Sequence, residues 1–125
     1  MSTTISGTNG VTFPDSTSMQ TGQQACKAWV NFNGTGTVAI RDAYNVSSIT
    51  DNGTGDYTVN FTTAMPDTNY SVSGSSAENF GGAFSNHLGF SLHKIDFNTD
   101  NFQCNTRNAS GGAVDHILIC AMVFR

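Results

Sequence analysis

Charge is what this chain has least of. Only 11% of its 125 residues are Asp, Glu, Lys or Arg, with five Lys and Arg against nine Asp and Glu. Five cations cannot line a phosphate backbone, which excludes nucleic-acid binding by charge neutralisation. Glu, Lys and Leu are scarce as well, and Glu78 is the single glutamate. A helical bundle needs such residues on its surface, so helical architectures are disfavoured. No apolar run approaches the ~18 residues of a membrane-spanning helix. The N-terminus also lacks the basic-then-apolar order of a secretion signal.

Several kinds of chemistry are missing too. There is no Gly-x-Ser-x-Gly elbow, and Gly74-Ser75-Ser76 lacks the strand–turn–helix context of one. With one Glu, and Asp residues placed mostly in turn clusters, no pair of carboxylates stands out for glycoside cleavage. No phosphate-cradling glycine loop is followed by Lys. The expectation is therefore a non-enzyme with no catalytic residue and no cofactor. His87, His93 and His116 are the only histidines. On one uninterrupted strand the first two would lie about 20 Å apart, too far to share an ion. They read as surface or interface histidines, and no metal site is expected.

Three cysteines allow at most one internal disulfide. If residues 102–107 and 114–124 form a hairpin with Arg107 opposite Val114, Cys104 falls opposite Ile117. Cys120 then lies nearer Asn101 and points to the other face, so the pair cannot bond. All three are expected to be buried free thiols acting as small hydrophobes. Six Asn-x-Ser/Thr sequons, at Asn33, Asn45, Asn52, Asn60, Asn69 and Asn108, read as chance matches in so Asn-, Ser- and Thr-rich a chain.

What the chain does have is Gly (13), Ser (13), Thr (16) and Asn (13), together with nine Phe, three Tyr and one Trp. That many aromatics argues against disorder, and the length fits one domain. After Met1, residues 1–24 hold only Ile5, Val11, Phe13 and Met19 as large apolar groups. Four isolated side chains do not offset the entropy of ordering such a segment. It is either a flexible terminus or an extended N-terminal arm that docks on a partner, and the β-type apolar spacing of Val11-Thr12-Phe13-Pro14 favours the arm.

From Cys26 onward the apolar period is two, as in half-buried strands. Ala28, Val30 and Phe32 alternate with Lys27, Trp29 and Asn31, and Asn33-Gly34-Thr35-Gly36 turns the chain. Val38 and Ile40 continue the pattern, and Val46 and Ile49 fall in an irregular stretch. Tyr57, Val59 and Phe61 give the clearest strand. Tyr70 and Val72, then Leu88, Phe90 and Leu92 after a Gly-rich stretch, and finally Phe102, Cys104 and Thr106 follow. Val114 to Phe124 reads as a last strand, apolar on both faces, as a strand covered on two sides would be. In a small sandwich the second cover is another subunit or, as the alternative, an internal layer. The architecture expected is an all-β antiparallel sandwich of about 6–8 short strands over residues 25–125.

The block KAWVNFNGTGTVAIRDAYNVSSITDNGTGDYTVNFTTAMPDTNYSVSG, residues 27–74, resembles the C-terminal tip domain of many bacteriophage tail fibre and related virion proteins. The preceding ISGTNGVTFPDSTSMQTG resembles the short unit that often precedes such tips at the end of a fibre shaft. More distantly, the layout is similar to the H-type-lectin-like trimeric β-sandwiches, through the strand ending in Phe61, the A-M-P-D-T-N-Y turn and the late apolar strand. The resemblance implies a homotrimeric virion protein, exposed on the particle, that attaches without covalent chemistry to host-surface glycan and touches other virion proteins through its N-terminal arm. The short arm departs from a full fibre and keeps open a capsid decoration or tail adaptor subunit with no receptor-binding role.

For a neutral sugar, Asn and Arg can bond hydroxyls and an aromatic ring can stack. The loops expected to do so are 76–86, with Asn79 and Phe80, and 105–113, with Arg107 and Asn108.

Overall fold

The computed structural model describes residues 4–6, 10–16, 18–19, 25–78 and 87–125, with the side chains of 4–6, 18–19, 87–88 and 93–96 left aside. All regular structure among these residues is strand, in three antiparallel sheets. The expected sandwich is present as two sheets of four strands each. One sheet has the order β6 (Val46–Gly53), β7 (Asp56–Phe61), β10 (Asn101–Asn108), β9 (His87–Phe97). The other has the order β5 (Ala39–Tyr44), β4 (Cys26–Asn33), β11 (Leu118–Phe124), β8 (Ser71–Ala77). Within residues 1–24, β1 (Thr4–Ser6), β2 (Gly10–Thr12) and β3 (Ser18–Met19) form a small meander of their own, with Ile5 opposite Val11 and Val11 opposite Met19.

The period-2 apolar residues face one another between the sheets. Ala28, Val30 and Phe32 of β4 and Ile119, Ala121 and Val123 of β11 meet Tyr57, Val59 and Phe61 of β7 and Phe102 and Cys104 of β10, all buried. Edge-on ring contacts cross the gap, Phe32 with Tyr57 at 5.3 Å and Phe61 with Tyr70 at 5.7 Å. Such pairs contribute about 0.5–1.5 kcal/mol each beyond area burial.

Four expectations are corrected or sharpened. The irregular stretch containing Val46 and Ile49 is a strand, β6, whose register on β7 shifts at Val46/Ser48 and again at Asp51/Gly53; Asn45, with a left-handed φ of 54°, turns the chain into it from the other sheet. Asn tolerates that region better than most residues. The strand β8 runs through the Gly-rich stretch, where Gly74 leaves room for the Phe90 ring; a Cβ there would lie 2.5 Å from it. The last strand starts at Leu118 rather than Val114. Residues 102–107 and the last strand do not form a hairpin: β10 and β11 belong to different sheets, and Arg107 bridges Ala113 alone.

The reason is that residues 114–117 carry the chain from one sheet to the other, and their polar groups are taken. Val114 N donates to Thr106 O at 3.2 Å, and Val114 O accepts from the Thr106 hydroxyl at 2.6 Å. His116 O accepts from Gly34 N at 2.9 Å, and Ile117 O accepts from Arg41 Nη2 at 2.6 Å. Asp115 Oδ1 accepts from Gly55 N at 2.7 Å and lies 2.8 Å from the Tyr57 hydroxyl, which is also 3.0 Å from Gly34 O. Burial first, and the Asp115 hydrogen bond second, push the Tyr57 hydroxyl far above the ordinary phenol range.

All three cysteines are free. Cys104 is buried in the core, and burial raises its thiol to about 12. Cys26 and Cys120 are only half-buried, against the expectation of three buried thiols. His116 is also corrected: it is fully buried instead of lying at a surface, with Nδ1 2.9 Å from the Ser76 hydroxyl.

Two substitutions test this crossing. Tyr57→Phe keeps the ring but removes the hydroxyl from Gly34 O and Asp115. It is expected to destabilise the fold by about 1–3 kcal/mol in denaturant titration. Gly55 has φ +64°, and a Cβ would stand 2.5 Å from Thr106 O and 2.8 Å from Val114 N. Left-handed strain and crowding together are expected to make Gly55→Ala cost about 2–4 kcal/mol by the same measurement.

Candidate functional site

The sequence-predicted residues separate into two groups. Asn79 and Phe80 lie outside the described residues. Arg107 and Asn108 lie at the end of the sandwich that carries the Tyr57–Asp115 crossing. The strands flanking the predicted loops converge there, with Ala77 opposite Leu118 and His87 opposite Asn108. The polar groups of both residues serve their own turn. Arg107 Nη1 donates to Gly111 O at 3.0 Å. Asn108 Oδ1 accepts from Ser110 N at 3.1 Å and from Gly112 N at 2.9 Å. This is the Asx-type bonding that shapes a loop.

A cleft opens at the opposite end. Its cavity volume is about 750 Å³, and it is lined by Lys27, Tyr44, Asn45, Arg125 and the segment 62–66. Antiparallel pairing brings these distant positions together. Lys27 stands near the start of β4 and Tyr44 at the end of β5, with Trp29 opposite Tyr44. Arg125 follows β11, whose Phe124 pairs with Cys26.

Asn45 builds the floor. Its Nδ2 donates to Lys27 O at 3.0 Å and to Thr63 O at 3.1 Å, while its Oδ1 accepts from Thr63 N at 2.7 Å. Asn45 is thus spent on structure, and it leaves Thr62 and Thr63 exposed beside it. Behind them Met65 is buried, with its N donating to Thr99 O at 2.7 Å. The Tyr70 hydroxyl, 2.9 Å from both Asn98 O and Asn101 O, fastens the turn that follows.

One wall is charged. Arg125 makes a two-pronged ion pair with Asp67, Nε to Oδ1 at 2.8 Å and Nη2 to Oδ2 at 2.6 Å. The Arg125 hydrogen bond, helped by Asn69 N at 2.8 Å, holds the Asp67 carboxyl down at about 2. Fork-on-fork pairing fixes the guanidinium plane as well as its charge. Lys27 has no ion pair among the described residues. The other wall is aromatic: Tyr44 is 56% exposed, one of the largest exposures among the described large apolar side chains.

Next to the cleft, the outer face of the β5-β4-β11-β8 sheet carries a row of exposed apolar groups. Met122 lies opposite Trp29, and Trp29 opposite Tyr44, with Phe124 one row away. Met122 is 46% exposed, Phe124 39% and Trp29 38%. This is the second apolar face seen in the last strand.

Sequence reasoning missed the cleft because its lining comes from four separate stretches, none with a motif. The signals available were Lys27 at a strand start and the A-M-P-D-T-N-Y turn, which supplies part of the floor and the Asp67 partner. No protein-family model, curated protein or solved structure matches the chain.

The Asp67–Arg125 pair has a pH signature. The folded-state carboxyl titrates below its ordinary 3.8, so the pair stabilises fully above about pH 4 and its contribution drains away as pH falls toward about 2. The melting temperature of Asp67→Asn is expected to fall below that of the parent chain at neutral pH, and the gap to close across that acid window.

Proposed function

We propose that this chain is a bacteriophage virion subunit, of a tail fibre tip or a related attachment part, that assembles as a homotrimer and holds host-surface glycan without covalent chemistry. The observation that carries the reading is the row Met122–Trp29–Tyr44, with Phe124, exposed across three adjacent strands beside a polar, open cleft. Aromatic groups and Met are the residues that interface cores favour over the rest of a surface. A contiguous apolar patch of this kind marks an interaction site. Burying Met122, Trp29 and Phe124 between subunits, with Tyr44 left open at the edge of the row, gives the last strand the second cover that its sequence calls for. The cleft at the rim of that row supplies an aromatic ring, hydroxyls and cationic donors, the groups that hold a sugar. The N-terminal segment joins the rest of the particle, and the chain is displayed on the assembled virion. The role is binding, not catalysis.

Light scattering on the purified chain is expected to return three times its 13.2 kDa mass. Trp29→Ser is expected to shift the protein toward monomer while leaving its circular-dichroism spectrum β-type. A parent chain of monomeric mass rejects the trimer. The isolated protein is also expected to bind host cells or a glycan array. A trimer that binds neither, yet is present in stoichiometric amounts around a capsid or tail tube, is instead a decoration or adaptor subunit.

A further inference from the structure

We propose that the cleft at the Lys27–Arg125 end accepts an acidic saccharide unit, with its carboxylate or phosphate facing the two cations and its ring on Tyr44. This rests on the glycan-attachment reading and deepens it, because composition alone points to neutral sugars.

The argument is one of charge placement. The chain carries a net charge of −4 and only five Lys and Arg in 125 residues, yet two of those five line this one cleft, and no Asp or Glu does. Asp67 neutralises Arg125 from behind, leaving Lys27 without a counter-charge among the described residues. Counted over side chains, the local balance is therefore one positive charge, set in a protein whose side chains sum to the opposite sign. Holding Arg125 in a two-pronged pair with Asp67 also fixes its guanidinium in place, so little rotamer freedom is lost when a second anion approaches.

Shape and donors agree with the charge. A volume of about 750 Å³ falls in the range of small-ligand sites. Tyr44 offers a ring face, and the exposed Thr62 and Thr63 bring hydroxyls to the floor. Asn45 has spent its amide on the backbone around it, so the floor is already formed when the ligand arrives. A hydrogen bond between a cation and an anionic oxygen is roughly twice as strong as a neutral one. Affinity for the acidic unit is expected to exceed that for its neutral counterpart by about tenfold.

The test is a titration of the full 15N-labelled chain, followed by NMR, with glucuronic acid, glucose 6-phosphate, glucose and acetate. Both acidic sugars are expected to shift the backbone amides of residues 44, 45, 62 and 63, with dissociation constants on the millimolar scale or tighter. Glucose is expected to bind about tenfold more weakly, and acetate, lacking a ring, more weakly than either acid. The two acids report whether a carboxylate or a phosphate fits better. Lys27→Gln and Tyr44→Ala each remove side-chain groups that make no hydrogen bond among the described residues, and each is expected to weaken acid binding by about tenfold. Raising the salt concentration should weaken it in the parent chain far more than in Lys27→Gln.

The proposal is overturned if glucose matches the acids, if acetate alone matches them, if neither acid moves those amides, or if Lys27→Gln leaves affinity unchanged. Its failure is separable from that of the attachment reading. Host-cell binding by a protein whose amides at residues 44, 45, 62 and 63 neither acid moves overturns the acidic cleft alone. An acid-filled cleft on a protein that binds no host cell overturns attachment alone.

Discussion

The sandwich depends on one carboxylate. Asp115 sits on the segment that carries the chain between sheets after β10, and its Oδ1 gathers Gly55 N and the Tyr57 hydroxyl. Tyr57 reaches on to the carbonyl of Gly34, at the end of a strand in the other sheet. Three sequence-distant segments therefore meet at the Tyr57 hydroxyl, half out of water. In that setting each hydrogen bond is stronger than in solvent, and leaving a partner unmade is correspondingly costly. With this end fixed, the neighbouring bonds, Thr106 to Val114 and Gly34 to His116, fall into register, and β11 enters the second sheet at Leu118.

The two ends of the molecule are built differently as a result. Around Asp115 the polar groups are turned inward and consumed by backbone. Even Arg107 and Asn108, which have the right chemistry to meet a ligand, are occupied in holding their turn. Around Arg125 the backbone is satisfied by Asn45, Asp67, Tyr70 and the Thr99 carbonyl, which leaves hydroxyls, a ring and an ammonium to face solvent. The distribution of unspent hydrogen-bonding capacity, more than the amino-acid types themselves, separates an end whose polar groups are used up from one with donors to spare.

Much of the fold was legible in the sequence. Strands β4, β7 and β10 follow from strict alternation, since Ala28, Val30, Phe32, Tyr57, Val59, Phe61, Phe102 and Cys104 all turn inward as the period demands. What periodicity cannot reveal is which strand lies in which sheet. Residues 102–107 and the last strand are neighbours in sequence with a short polar link, which favours a hairpin, yet the side chain of Asp115 and the hydroxyl of Thr106 bend the link across the sandwich. His116 was misplaced for the same reason, because a residue on a crossing is buried by its surroundings and not by a pattern. The candidate site was scarcely legible. Lys27, Tyr44, Thr62 and Arg125 mean nothing by spacing, and only strand pairing brings them to one rim.

Asn45 has one more consequence. It is the sole residue between β5 and β6, which are the outermost strands of different sheets. A link of one residue has no slack. Sliding β5 by one position along β4 would drag β6 by the same step along β7 and turn the inward faces of both outward. The two sheets thus share a single register, and an error in pairing either strand is penalised twice. In a chain so poor in charge, which has few like-charge clashes with which to reject a wrong strand partner, this stiff corner guards against mispairing by length alone.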